Sequence, residues 1–198
     1  MGFKNKMSNL YINELISKLE NTEIWRGIEY KYKDYNKGIQ ILLDLFTEHK
    51  RKGSQVFFVG NGGSAAIASH MTADFMKNGG MNTYSLYDTA VTTCIGNDYG
   101  YENIFSKPMK FLMKPNDLLI AISSSGNSVN IINAIITAKE KGADVVTLTG
   151  FKENNKAKQL GDINVYVPCK KYGIVESIHT IILQQIVDLI LERDGVGI

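Results

Sequence analysis

Four short apolar runs, each separated from the next by a helical pattern, constrain the fold of this chain most strongly. They occupy residues 56–59, 118–122, 145–148 and 163–167. Continuous apolar runs of this length are typical of strands that are buried on both faces. Strands that alternate with helices predict a mostly parallel sheet covered by helices on each side. We therefore predict an α/β fold with a doubly wound parallel sheet.

The first fifty residues show a helical pattern instead. Apolar residues recur at helical intervals between residues 10 and 19 and again between residues 35 and 46, and Gly53 then stands where a helix-ending glycine is common. The pattern predicts a helical N-terminal extension over residues 1–52, followed by an α/β core over residues 53–198. The total of 198 residues suits a single domain with a core large enough to fold unaided.

Charge and composition argue against several classes of partner. The net charge is only +2, and the Lys and Arg residues are spread along the chain, so we expect no nucleic-acid partner. We see neither a secretory signal nor an apolar run of about 18 residues, so we expect no membrane partner. Cys94 and Cys169 lack metal-site spacing and lie in apolar segments. We expect both to be buried, and the protein to be cytoplasmic.

The serine-rich turn after the second apolar run is a candidate phosphate site. Its sequence, Ser-Ser-Ser-Gly-Asn-Ser over residues 123–128, leads from a predicted strand into a predicted helix. The N-terminus of a helix carries unpaired N–H groups and partial positive charge, which suit a phosphate. The turn lacks the lysine of a nucleotide P-loop, so it favours a phosphomonoester held by hydroxyls and amides. A serine-rich turn with one capping serine is the structural alternative.

A glycine-rich turn follows the first apolar run. It reads Gly-Asn-Gly-Gly-Ser over residues 60–64. It does not match the dinucleotide-binding pattern, and no acidic residue follows at the spacing of a ribose partner. Ligands of parallel sheets bind beyond the carboxyl ends of the strands. Two polar turns at such ends therefore favour one shared binding site.

Together with Gly96-Asn97-Asp98, these turns resemble those of the phosphoheptose isomerases, which are sugar isomerase (SIS) domain proteins. Members of that family interconvert sedoheptulose 7-phosphate and D-glycero-D-manno-heptose 7-phosphate. The resemblance covers nearly the whole chain and implies a single SIS domain of the αβα type. It also implies a homotetramer packed through the N-terminal helices, with active sites between subunits. The implied activity is the first step toward activated heptose for a bacterial surface polysaccharide.

The resemblance further implies roles for individual residues. The phosphate would be held by four serines, Ser123, Ser124, Ser125 and Ser128. The sugar would be contacted by the residues of the other motifs and of the last helix: Asn61, Gly62, Gly63, Ser64, Asn97, Asp98 and Gln184.

The catalytic positions depart from the common family pattern. The family usually has His-x-x-x-Glu where this chain has His70 and Asp74, and it has a glutamine and a histidine where this chain has Glu176 and Gln184. Aldose–ketose isomerisation needs a base for a carbon-bound proton and an acid for the oxygens. Gln184 cannot titrate. We therefore predict that Glu176 is the base and that His70 or His179 moves the oxygen protons, with Asp74 as the remaining catalytic residue.

Some family members bind zinc at the corresponding four positions, so Zn²⁺ is a possible cofactor of this chain. The possible ligands are His70, Asp74, Glu176 and Gln184. Glutamine is the least suitable of these side chains. Glu176 and Gln184 would lie about 12 Å apart along a helix, so both could reach one ion only from opposite sides.

Less specific interpretations stay open at the same residues. His70 is also compatible with a capping or packing role, Asp98 with a turn, and His179 with a satisfied core histidine on an apolar helix face. His49 is expected at the surface. At the level of function, the alternatives are a non-catalytic SIS module that senses a sugar phosphate or docks a partner, and an isomerase of another sugar phosphate.

Overall fold

The computed structural model describes residues 2–32 and 34–195, with the side chains from residue 9 onward. Seven strands form one sheet: β1 (Glu23–Arg26), β2 (Tyr30–Lys31), β3 (Gln55–Val59), β4 (Asn82–Ser85), β5 (Leu118–Ser123), β6 (Asp144–Thr149) and β7 (Ile163–Tyr166). The helices are α1 (Gly2–Glu20), α2 (Tyr35–Lys52), α3 (Gly63–Lys77), α4 (Thr89–Tyr99), α5 (Ser106–Leu112), α6 (Val129–Glu140), α7 (Lys156–Leu160) and α8 (Tyr172–Arg193), and a 3-10 turn spans Tyr101–Asn103.

The strand order in the sheet is β2-β1-β7-β6-β5-β3-β4. The five strands from β7 to β4 are parallel to one another, and β5 is buried along its whole length. A strand in the middle of a parallel sheet is covered by helices on both faces, which explains its unbroken apolar sequence. The structure confirms the predicted doubly wound α/β fold.

The predicted helical extension over residues 1–52 is wrong in its middle. Two helices are present, but the hairpin of β1 and β2 lies between them and joins the sheet. β1 pairs antiparallel with β7, with Ile24 opposite Val165. Ile24 of β1 is buried, and its side chain lies so close to α2 that only a glycine fits at position 38. The segment from β1 to α2 is therefore part of the core rather than an appendage.

Two apolar layers cover the two faces of the sheet. Alternate residues of one strand point into opposite layers, as Phe57 and Phe58 of β3 do. Helices α2, α3 and α8 contribute to one layer, and α5, α6 and α7 contribute to the other. The chain leaves β3 toward α3 on the first side and leaves β5 toward α6 on the second.

Strands β3 and β5 are neighbours, with Val59 opposite Ala121, but the chain forms β4 on the outer side of β3 before it returns to β5. The connections after β3 and β5 therefore diverge to opposite faces. Such a switch point opens a crevice at the carboxyl ends of the two strands, which is the usual ligand site of an open α/β sheet.

Helix α8 is the longest helix among the described residues and runs through the first apolar layer. By length and composition alone it is also apolar enough to span a membrane, and half of its most apolar window is buried within the fold. We had expected no apolar segment of this length, and that expectation is wrong for α8. Core residues such as Ile178, Ile182 and Ile186 are fully buried between α8 and its neighbours. The packing accounts for the apolar character of the helix.

Candidate active site

A cavity of about 380 Å³ lies at the switch point between β3 and β5. It is lined by the two predicted turns and the start of α8: Asn61, Gly62, Gly63, Ser64, Ile122, Ser123, Ser124, Ser125, Ser128, Tyr172 and Glu176. The structure thus brings together nine of the residues predicted from the sequence. None of the described residues that line it is Lys or Arg, so the contacts that this chain itself offers an anion here are neutral donors.

The serine turn offers free hydroxyls at the N-terminus of α6. Ser128 is the N-cap residue of α6, but its side chain makes no capping hydrogen bond. The hydroxyl of Ser124 is buried and has no partner among the described residues. The hydroxyl of Ser123 only accepts a hydrogen bond of 3.2 Å from the Gly126 N–H. Hydroxyl donors without an acceptor, next to the positive end of a helix dipole, suit a phosphate group.

Gly126 gives this turn its shape. Its φ is +62°, a left-handed conformation that favours glycine. A β-carbon at this position would overlap the side chain of Asn155, with the Asn155 β-carbon itself at 2.7 Å. Asn155 is 1% exposed and caps α7 by accepting a hydrogen bond of 2.9 Å from the Lys158 N–H. The turn is therefore packed against a rigid neighbour.

Among the described residues, the only carboxylate that lines the cavity belongs to Glu176, in the first turns of α8. Its side chain lies directly over Gly63, at the start of α3. A β-carbon on Gly63 would lie within 2.6 Å of the Glu176 Cδ and Oε1 atoms. The glycine therefore makes the space in which the carboxylate reaches the cavity. A carboxylate that lines a ligand cavity is a candidate general base.

Asn61, in the glycine-rich turn, lines this cavity and also a neighbouring one that is lined by Tyr101 and Asn130. Its Oδ1 accepts hydrogen bonds of 2.9 Å from the Tyr101 hydroxyl and 2.8 Å from the Asn130 Nδ2 atom. Its Nδ2 donates a hydrogen bond of 2.8 Å to the Asn130 Oδ1 atom. The backbone of the preceding residue, Gly60, is held by Tyr87, whose hydroxyl accepts from the Gly60 N–H at 2.7 Å and donates to the Gly60 carbonyl at 2.9 Å.

Three further predicted residues form a separate cluster farther along α3 and α8. The Gln184 Nε2 atom donates a hydrogen bond of 2.6 Å to the Asp74 Oδ2 atom. The His70 Nε2 atom lies 3.1 Å from the same oxygen and 3.3 Å from the Gln184 Nε2 atom. His70 is largely exposed, and none of the three residues lines the cavity. This cluster is therefore distinct from the cavity in a single chain.

The four possible zinc ligands do not form a metal site within one chain. Glu176 lies over Gly63, whereas Asp74 is engaged by the amide of Gln184. The described residues include no group of three or more His, Cys, Asp or Glu side chains arranged to hold a metal ion. The Gln184 amide is hydrogen-bonded to Asp74, and glutamine is the least suitable of these side chains as a zinc ligand. The donor set therefore does not fit Zn²⁺, and we derive no step through a metal.

His179 lies in the core, and the structure does not place it in the cavity. Its Nε2 atom is 3.2 Å from the Thr149 carbonyl oxygen, so it donates there, and its Nδ1 atom has no partner among the described residues. Burial disfavours the charged ring and lowers its pKa to about 4. In a single chain His179 does not reach the cavity, so its role in moving substrate protons stays a prediction; its burial fits the alternative of a core histidine, except that its Nδ1 atom is not satisfied.

Asn97 and Asp98 also lie outside the cavity in a single chain. They form the last turn of α4, where the Asn97 Nδ2 atom donates a hydrogen bond of 2.9 Å to the Asp98 Oδ1 atom. Helix α4 has no buried residue, and Cys94 on it is exposed, contrary to our expectation, whereas Cys169 is buried as expected. His49 was expected at the surface, but it is buried and its Nε2 atom lies 3.0 Å from the Asp144 Oδ2 atom.

Comparison with known proteins agrees with this architecture. Residues 22–150 match the family model described as SIS domain. The phosphoheptose isomerase of Sulfurimonas denitrificans is 36% identical over 94% of this chain and 98% of its own length. That of Aliarcobacter butzleri is 33% identical over 93% of this chain and 97% of its own length. The solved phosphoheptose isomerase from Neisseria gonorrhoeae superposes with a TM-score of 0.81 at 28% identity, covering 94% of this chain and 98% of that one. This chain belongs to the phosphoheptose isomerase family of SIS-domain proteins.

Proposed function

We propose that this protein is an aldose–ketose isomerase that converts sedoheptulose 7-phosphate to D-glycero-D-manno-heptose 7-phosphate. The observation that carries the proposal is that the Glu176 carboxylate lines the same cavity as the serine turn. That turn lies at the N-terminus of α6 and contains no Lys or Arg. The serine turn would take the phosphate, and Asn61 with the glycine-rich turn would contact the sugar. The family to which the chain belongs supports the choice of a heptose substrate.

The reaction moves one proton between adjacent carbons. Glu176 takes the proton from C1 of the ketose, and the C1–H electrons form the carbon–carbon double bond of a cis-enediol as the C2 oxygen gains a proton. Glu176 then returns a proton to C2, while the C1 hydroxyl loses its proton to give the aldehyde. One carboxylate at a fixed place beside both carbons suffices for the carbon-bound proton. His70, in the middle of α3 and outside the cavity lining of a single chain, remains our candidate for the oxygen protons, with Asp74 as its partner.

A non-catalytic sensor is the competing function. A protein that only binds a sugar phosphate has no need of a carboxylate in the cavity, because a second negative charge near the phosphate weakens anion binding. Glu176 nevertheless lines the cavity, in a space that only a glycine at position 63 leaves open. That placement favours the isomerase.

A turnover assay tests the proposal. Purified protein is incubated with sedoheptulose 7-phosphate, with and without a chelator, and the aldose product is followed by NMR. We expect turnover that the chelator does not change. Binding of the sugar phosphate without turnover would support the sensor function instead, and inhibition by the chelator would contradict our metal-free description of the site.

We also propose that the protein works as a homotetramer in the cytoplasm. Support comes from the exposed apolar side chains of α1, among them Leu10, Ile12 and Ile16, and from a groove of about 840 Å³ along α8. Large exposed apolar patches mark association surfaces. Light scattering on the purified protein tests this part. We expect a tetramer, and we expect Ile12→Glu with Ile16→Glu to lower the measured mass; a wild-type monomer would contradict the proposal.

A further inference from the structure

We propose that Asn130 is a positioning residue of this site: it holds the side chain of Asn61 in one orientation and so presents a single amide proton to the ligand. The role of Asn61 in contacting substrate rests on the proposed function. The role of Asn130 in fixing Asn61 rests on geometry alone.

The two asparagine side chains form a reciprocal pair. Asn61 donates from its Nδ2 atom to the Asn130 Oδ1 atom and accepts at its Oδ1 atom from the Asn130 Nδ2 atom, both at 2.8 Å. The Tyr101 hydroxyl provides a second donor to the Asn61 Oδ1 atom at 2.9 Å. An amide has two N–H donors and one oxygen. One N–H of Asn61 is therefore left without a partner among the described residues. Asn61 lines the cavity at the switch point and also a neighbouring cavity, which Tyr101 and Asn130 line as well.

Asn130 is itself fixed in orientation. It is 2% exposed in the first turn of α6, and its Oδ1 atom also accepts a hydrogen bond of 3.0 Å from the Ile131 N–H. Rotation of its amide by 180° would bring its NH₂ group against that N–H. Rotation of the Asn61 amide would place oxygen against oxygen and nitrogen against nitrogen. Because buried polar atoms without partners are costly, each amide fixes the other.

The pair also connects the two halves of the cavity. Asn61 belongs to the turn after β3, which would contact the sugar, and Asn130 lies two residues beyond Ser128 in the phosphate turn. The connections after β3 and β5 diverge at this switch point, so the backbone alone does not tie the turns together. We infer that the amide pair keeps the sugar contact in register with the phosphate site.

The experiment compares four variants by steady-state kinetics with sedoheptulose 7-phosphate: Asn130→Ala, Asn61→Ala, their double variant, and Asn133→Ala as a matched control. Asn133 is on the same helix, does not line the cavity and does not contact Asn61; it donates a hydrogen bond of 2.9 Å to the Glu102 carbonyl. Inorganic phosphate serves as a competitive inhibitor that reports on the serine turn alone. A crystal structure of Asn130→Ala reports on Asn61 directly.

We expect Asn130→Ala to lower kcat/KM by roughly tenfold to a hundredfold, because small misplacements of a contact group have effects of that size. The loss should fall mainly on kcat, with the inhibition constant of phosphate within about twofold of wild type. In the Asn61→Ala background the same substitution should change kcat/KM by less than about twofold, since it acts through Asn61. Asn133→Ala should also stay within about twofold of wild type.

The inference is overturned if Asn130→Ala stays within about twofold of wild type, or if its effect is as large without Asn61. It is also overturned if the variant crystal structure shows Asn61 in its original orientation. A wild-type protein that does not turn over the substrate would refute the proposed function instead. The crystal structure would then still decide the inference, because the orientation of Asn61 does not depend on the substrate.

Discussion

The Glu176 carboxylate occupies the space that a β-carbon on residue 63 would need. A β-carbon built on Gly63 lies within 2.6 Å of the Glu176 Cδ and Oε1 atoms. The position of Glu176 in α8 therefore requires a residue without a side chain at the start of α3. This contact determines the position of the only carboxylate among the described residues that line the cavity.

Substitution of Gly63 should displace that carboxylate. We expect Gly63→Ala to lower kcat by roughly a hundredfold, because a shift of about 1 Å in a catalytic group has an effect of that order. The measurement is steady-state kinetics, alongside the same substitution in a Glu176→Gln background. There it should cause little further loss. An equal loss in both backgrounds would show that Gly63 matters for another reason.

Gly126 should be essential for phosphate binding. Alanine there meets both an unfavourable φ of +62° and the buried side chain of Asn155, so the serine turn must deform. We expect Gly126→Ala to weaken inhibition by inorganic phosphate by at least about tenfold. Gly53→Ala is the matched control, since its φ is +67° but a β-carbon there meets nothing within 4 Å. Equal phosphate inhibition in the two variants would contradict this account.

The Tyr87 hydroxyl should stabilise the glycine-rich turn. Removing it leaves the N–H and the carbonyl of the buried Gly60 without their partner. We expect Tyr87→Phe to lower the free energy of unfolding by about 1–3 kcal/mol, measured by denaturant titration. The control is Tyr84→Phe, whose hydroxyl has no hydrogen bond within the part of the chain described by the structure. If both variants lose the same stability, the Tyr87 hydrogen bonds contribute nothing specific.

The buried His179 should make stability depend on pH. Its folded-state pKa is lowered to about 4 by burial, whereas the unfolded chain binds a proton near 6.5. The contribution of neutral His179 to the free energy of unfolding is therefore fully present above about pH 6.5 and is lost as the pH falls toward 4. The loss is at most about 3 kcal/mol. Unfolding of wild type and His179→Gln between pH 4 and 8 measures this. The free energy of unfolding of the variant should lack this pH-dependent loss. If the free energies of the two proteins changed in parallel with pH, the lowered pKa of His179 would be contradicted.

The central part of the fold was predictable because strong local signals determine it. The strands β3, β5 and β6 are short apolar runs that only a covered sheet accommodates. The hairpin of β1 and β2 was missed because its strands are only four and two residues long and show no alternation, and because the pairing of β1 with β7 is a long-range contact. Helix α4 was missed because none of its side chains is buried, which leaves no apolar periodicity to detect.

The site was predictable to the extent that its residues are consecutive. Both polar turns follow their strands directly, and the serine and glycine motifs locate them. Asn130 and Tyr101 carry no local signal, since their roles arise only where the two connections meet at the switch point. The core position of His179 was an open alternative, because an apolar helix face does not reveal what lies above it.

The most direct test of the account is the turnover of Glu176→Gln with sedoheptulose 7-phosphate, with substrate affinity measured by calorimetry on the same protein. The substitution keeps the size of the side chain but removes the base. We predict that kcat falls by roughly a thousandfold while the dissociation constant stays within about threefold of wild type. Turnover within about tenfold of wild type would contradict the account, because another group would then have to remove the carbon-bound proton.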